Sequence, residues 1–179
     1  DGSYSTNFKT PAGNQWNTEF GCSAQGLPNG LINRRQEGGG FPQSYTAWTA
    51  QVANILALEP DASIGLDLTY EESTRTVNVD IEVTAFNDLN NGPYNIIVCL
   101  TEDSIVDWQK DYDPTLADEN LEHYIHMHAL RTNFNGTWGD QVGSGNITAG
   151  TVLSSSYSLV LDPAWVDHNC NVVAFIYQT

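Results

Sequence analysis

The spacing of apolar residues changes near Glu59-Pro60, and that change divides the chain in two. Before it, apolar positions follow a helical period. Trp48, Val52, Ile55 and Leu56 fall on one helical face, and Ser44 is placed to cap that helix, which ends before Pro60. An earlier helix is expected from Pro11 to about Phe20, with Thr10 as its N-cap and Gly21 as its stop. Between the two helices, Leu27-Pro28 leads into a short apolar strand at Gly30-Leu-Ile-Asn33, and a turn follows at Gly38-Gly-Gly40.

After Pro60 the period is two. Ile64, Leu66 and Leu68 alternate with polar neighbours, and Val77, Val79, Ile81 and Val83 alternate with Asn78, Asp80, Glu82 and Thr84. This pattern marks strands with one wet face. Further strands are expected at about 94–102, 122–133, 156–161 and 171–177, with turns at Asn87–Pro93, Asp113-Pro114 and Gly143–Gly145. The fold class is mainly β: an Ig-like antiparallel β-sandwich over residues 61–179, preceded by a partial α/β segment over residues 1–60. Two helices and a short strand cannot bury their apolar faces alone. A missing N-terminal half, or another chain, is therefore expected to complete residues 1–60.

Composition restricts the partners. The 179 residues include 40% hydrophobic and 11% aromatic side chains, enough for a packed core. Acidic residues number 22 against 6 basic ones, for a net charge of -16. Such a surface repels nucleic acid and anionic membrane. No apolar run is long enough for a transmembrane segment. Asp1 reads as a processed or truncated start.

Cys22, Cys99 and Cys170 form neither a CxxC nor a zinc spacing. Two late strands can set Cys99 beside Cys170 in an inter-strand disulfide; separate buried thiols are the equal alternative.

Candidate chemistry centres on His123-Tyr-Ile-His-Met-His-Ala-Leu-Arg131. In an extended strand His126 and His128 share one face. They can hold a metal, serve acid–base chemistry or line a polar groove. Zinc catalysis needs three protein ligands, and no third is assured here. The expectation is therefore a binding groove carrying His126, His128 and Arg131, with a metal role secondary. Asp111, Asp113 and Asp118 offer oxygen ligands for calcium without EF-hand spacing, so a solvated acidic loop is the competing reading. Trp108, Tyr112, Trp138 and Trp165 fall at or near expected turns, where indole rings can stack on sugars or anchor a protein partner; plugging the ends of the sandwich is the competing and commoner role. No Gly-x-Ser-x-Gly elbow and no distinguishable carboxylate dyad points to hydrolysis.

A family resemblance runs in order along nearly the whole chain. Phe8-Lys-Thr-Pro-Ala-Gly-Asn14, Phe20-Gly21 and Leu27-Pro-Asn-Gly-Leu-Ile-Asn-Arg34 look like the second half of a thioredoxin-like domain, with Pro28 in the place of its cis-proline. Thr101-Glu-Asp-Ser-Ile-Val106, Gln109, His126-Met-His128, Leu130-Arg131, Asn135-Gly136, Trp138-Gly139 and Asn169-Cys-Asn-Val-Val-Ala-Phe175 resemble the Omp28-related outer-membrane proteins of Bacteroidota. The expected function is that of a non-enzymatic, outer-membrane-associated or secreted surface protein. The resemblance implies a surface lipoprotein that acts as a binding or accessory component. A surface protein or glycan is the expected partner, and no cofactor is expected, calcium being the one candidate. Two other readings compete: a thiol-disulfide oxidoreductase whose CxxC half lies outside this chain, and a glycan-binding module.

Overall fold

The computed structural model describes residues 4–36, 40–115, 118–143 and 145–179. Helix α1 spans Pro11–Phe20, with Pro11 in its first turn and the Thr10 hydroxyl accepting the Gly13 N–H at 3.0 Å. Gly21 ends it in the left-handed region (φ 69°) and returns its N–H to Asn17. The strand that follows is shorter than the sequence predicts. β1 is only Asn29–Gly30, paired with β2 at Gln43–Ser44. Asn33 and Arg34 take φ of 49° and 50°, so the chain turns where an extended segment was expected. Of the expected Gly38–Gly40 turn, Gly38 and Gly39 lie outside the described residues. Helix α2 spans Tyr45–Leu56. Ser44 occupies its N-cap position but makes no side-chain cap bond. None of α2 is buried, and Val52 and Leu56 are exposed.

The period-two region forms antiparallel sheets. In the first, β3 (Ala62–Glu71) and β4 (Thr76–Ala85) pair across a turn, and β10 (Val152–Val160) lies on the other side of β4. In the second, β5 (Tyr94–Glu102) is central. β11 (Cys170–Gln178) flanks one edge of β5, while β8 (Ala129–Asn133) and β9 (Asp140–Val142) share the other. Val79, Ile81 and Val83 of the first sheet meet Ile96, Val98 and Val142 of the second in the main core. This is the mainly β, antiparallel architecture that the alternation predicts.

Strand β5 is buried along most of its length, from Ile96 to Leu100. Alternate side chains of a strand point to opposite faces. Ile96 and Val98 serve the core between the sheets, so Ile97 and Cys99 point outward, away from it. A strand covered on both faces reads as a continuous apolar run, as Ile96–Leu100 does.

Two expectations need correction here. The strand expected over 122–133 is two strands in different sheets. β7 (Asn120–His126) pairs with β6 (Ile105–Lys110) in a two-stranded sheet, and β8 begins at Ala129. His128 has φ 55° and redirects the chain between them. The Cys99–Cys170 bridge is also absent. Cys170 pairs with Glu102, whereas Cys99 pairs with Val173. Three residues of stagger separate the two Cα atoms by roughly 10 Å and turn the side chains to opposite faces. A disulfide needs its Cα atoms within about 7 Å. All three thiols are free.

Candidate functional site

The left-handed pair Asn33-Arg34 lays the Arg34 side chain against the outer face of the second sheet. Its guanidinium carbon lies 4.4 Å from the Tyr177 ring centroid, 4.9 Å from Phe175 and 5.2 Å from Phe20. Trp16 and Trp138 stand 5.6 and 5.9 Å away. Each contact lies within the range of a cation–π interaction. The spacing of the rings follows from their elements. Trp16 and Phe20 are four apart on α1 and so share a helical face. Phe175 and Tyr177 are two apart on β11 and so share a sheet face.

Hydrogen bonds fix this cage. Trp16 Nε1 donates to the Thr137 carbonyl at 2.9 Å, and the Tyr177 hydroxyl donates to the Trp138 carbonyl at 2.7 Å. Among the described residues, Arg34 Nη1 is buried without a hydrogen-bond partner, and the guanidinium is surrounded by rings. Burial lowers the Arg34 pKa from its usual value, with the neighbouring Tyr177 hydroxyl partly offsetting that effect. The guanidinium nonetheless stays charged at neutral pH.

Arg34 separates two hollows. A groove of about 960 Å³ runs between α1, the 31–35 turn and β11, where Arg35, Pro60, Asp61, Tyr94 and Gln178 join the cage residues. On the other side of Arg34 a hollow of about 580 Å³ is lined by Phe41, Asn95, Trp138 and Glu19. A third, of about 490 Å³, opens beside Leu68, Val77 and Val172, where the Tyr70 hydroxyl donates to Asp167 at 2.8 Å.

The residues singled out from the sequence do not assemble into one site. Arg131 Nε donates to Glu102 Oε2 at 2.7 Å, and Glu102 Oε1 accepts the Val166 N–H at 2.9 Å. Glu102 is 2% exposed, so this carboxylate fastens β8, β5 and the approach to β11 from inside. Asp103 does similar work nearer the surface. Its Oδ1 accepts the His128 N–H at 2.6 Å and lies 2.9 Å from His128 Nδ1, while its Oδ2 accepts Asn171 Nδ2 at 3.0 Å. His126 instead packs between Phe8 and Tyr124, tilted to the first ring and edge-on to the second, with Nε2 3.3 Å from the Trp108 carbonyl. Because the strand breaks after His126, the two imidazoles do not share a face as the sequence predicts.

Among the described residues, no three His, Cys, Asp or Glu side chains converge on a metal position. Asp111, Asp113 and Asp118 each accept the backbone N–H two residues ahead, from Asp113, Thr115 and Asn120. Those bonds hold the Asp113 and Asp118 carboxyls below the usual range. Residues 116 and 117 of that loop lie outside the described residues. Trp108 sits within β6 rather than at a turn, 5.6 Å from Tyr4. Tyr112 is exposed beside Lys110. Trp138 belongs to the cage. The Leu27-Pro28 peptide is cis.

Sequence reasoning did not place Arg34, Trp16, Phe20, Phe175 and Tyr177 in a site, although Phe20, Arg34 and Phe175 stand in the family-like motifs. A signal was present: Arg34-Arg35 is the one adjacent basic pair in a chain with only 6 basic residues.

A solved structure, HBP35 of Porphyromonas gingivalis, shares this fold with a TM-score of 0.61 at 15% identity. The likeness covers 93% of this chain and 54% of that one, so the chain spans about half the length of that protein. No curated protein matches the chain. Residues 13–179 match the family described as outer membrane protein Omp28, and the chain belongs to that family.

Proposed function

We propose that the chain is a non-enzymatic component of the cell surface that binds a ligand or partner in the groove between its front segment and the outer face of β11. Family membership puts it at the outer membrane or cell surface. The observation that carries the proposal is the groove of about 960 Å³ walled by a fixed aromatic cage. Ligand sites are commonly concave, largely apolar and furnished with a few placed polar groups. We read residues 1–60 as the C-terminal half of a thioredoxin-like domain and 61–179 as an Ig-like sandwich; α1 and the β1–β2 pair ahead of α2 support the first part.

Two of the thiols favour binding over redox chemistry. Burial pushes Cys99 and Cys170 up to about 11. The thiolate is the reactive form, so both are poor nucleophiles at neutral pH.

Backbone amide NMR spectra, titrated with a panel of surface glycans and small aromatic compounds, test the reading. Shifts clustered at Arg34, Tyr177 and Gln178 are expected. No perturbation there across the whole panel sinks it, and shifts confined to Trp108 and Tyr112 move the binding surface to the β6–β7 hairpin.

A further inference from the structure

We infer that the groove selects apolar or aromatic monocarboxylates, with Arg34 receiving the carboxylate. This rests on the groove being the binding site proposed above. Of the 6 basic residues, three form ion pairs with carboxylates: Arg75 with Asp167 at 3.5 Å, Lys110 with Glu119 at 2.7 Å and Arg131 with Glu102 at 2.7 Å. Arg34 and Arg35 have no carboxylate partner among the described residues. Both line the groove, where two like charges lie on adjacent residues. An anion placed between them relieves that repulsion.

Arg34 is also held in readiness. Rings pack around it on several sides, and Nη1 is buried among them without a hydrogen-bond partner. Because Arg34 borders both hollows, the rest of its donor fork is within reach of a ligand. A planar guanidinium binds a carboxylate through two parallel N–H donors, and an immobilised one loses little entropy in doing so. The aromatic surroundings strengthen the pairing by keeping water away.

The remaining lining defines the body and charge of the ligand. Trp16, Phe20, Leu31, Pro60 and Phe175 give the groove apolar walls that suit a ring or short hydrocarbon. Asp61 lines the same groove and Glu19 the adjoining hollow, and the chain as a whole carries -16. A second or third negative charge on the ligand meets repulsion, so monoanions are favoured over polyphosphates.

The test compares 2-naphthoate with 2-naphthamide, which share a shape and differ in charge, by calorimetry on the whole chain at neutral pH and low salt. Naphthoate is expected to bind about tenfold tighter, the effect of one charge-assisted pair. Arg34→Gln should remove that preference, and Arg35→Gln should reduce it less. Equal affinity of the two compounds for the wild-type chain overturns the inference even if Arg34→Gln fails to fold. So does a preference that survives in folded Arg34→Gln. In both cases groove shifts in the amide spectra leave the binding-site reading standing. If neither compound shifts groove amides, nor does any other member of the panel, both readings fall.

Discussion

Arg131 and Glu102 are worth more to the fold than to chemistry. Their side chains are 17% and 3% exposed, and the carboxylate has one other donor, the Val166 N–H. Arg131→Met strands Glu102 in the interior, and breaking a buried pair from one side costs about 3–5 kcal/mol. The double variant Glu102→Leu, Arg131→Met removes the stranded charge and should recover most of that loss. Urea unfolding of the two single variants and the double measures the coupling. A loss under about 1 kcal/mol for Arg131→Met would mean that solvent reaches the carboxylate. The sequence singled out Arg131 through its histidine neighbours. Its partner, 29 positions earlier, carried no local signal, because an ion pair across β5 and β8 exists only once the sheet register is set.

At the scale of elements, the segment Asn135-Gly-Thr-Trp-Gly139 performs the work of a strand without being one. Asn135 Oδ1 accepts the Val98 N–H at 3.0 Å, and its Nδ2 donates to the Ile96 carbonyl at 2.9 Å. A side-chain amide thus replaces the backbone ladder between β8 and β9 along the edge of β5. The segment then passes so close to β5 that a Cβ on Gly139 would stand 1.9 Å from the Ile96 oxygen, at φ 69°. Gly139→Ala must displace backbone as well as strain it, and a loss of roughly 3 kcal/mol or more is expected. Amide exchange locates the damage: Ile96 and Asp140, opposed in the β5–β9 ladder, should lose protection before Val79 and Ile81 do. Uniform loss across both sheets would contradict this local account. Alternation made β3, β4, β10 and β11 legible. β6 was missed because Ile105-Val-Asp-Trp-Gln-Lys110 pairs only with β7 and buries no full face. The break at His128 was missed because a histidine, not a glycine, takes the left-handed turn there.

Across the whole molecule the chain stacks in layers: the first sheet, the second sheet, and α1 with the 31–35 turn on the second sheet's outer face. The sequence read the front segment as needing cover from elsewhere, and α1 does find a surface within this chain through Trp16, Phe20 and Arg34. That packing could not be read from period alone, because the residues that join the layers are isolated aromatics and one arginine. The outward side of β5 makes the joint testable. Cys99 is 4% exposed on that side, and its thiol is pushed up to about 11 by burial. In a Cys22→Ser, Cys170→Ser background, a thiol reagent at pH 8 reaches Cys99 only through an opening of the structure. Where that opening is global unfolding, the labelling rate tracks the stability measured in urea. Trp16→Ala removes the Nε1 bond to Thr137 and one wall of the Arg34 cage. Labelling of Cys99 should then accelerate at least tenfold beyond what the fall in global stability accounts for, since α1 can lift while the two sheets stay paired. If the wild-type chain already labels much faster than it unfolds, the front layer is loosely held and the groove has no fixed wall. If Trp16→Ala changes labelling only in step with stability, the layers open as one cooperative body.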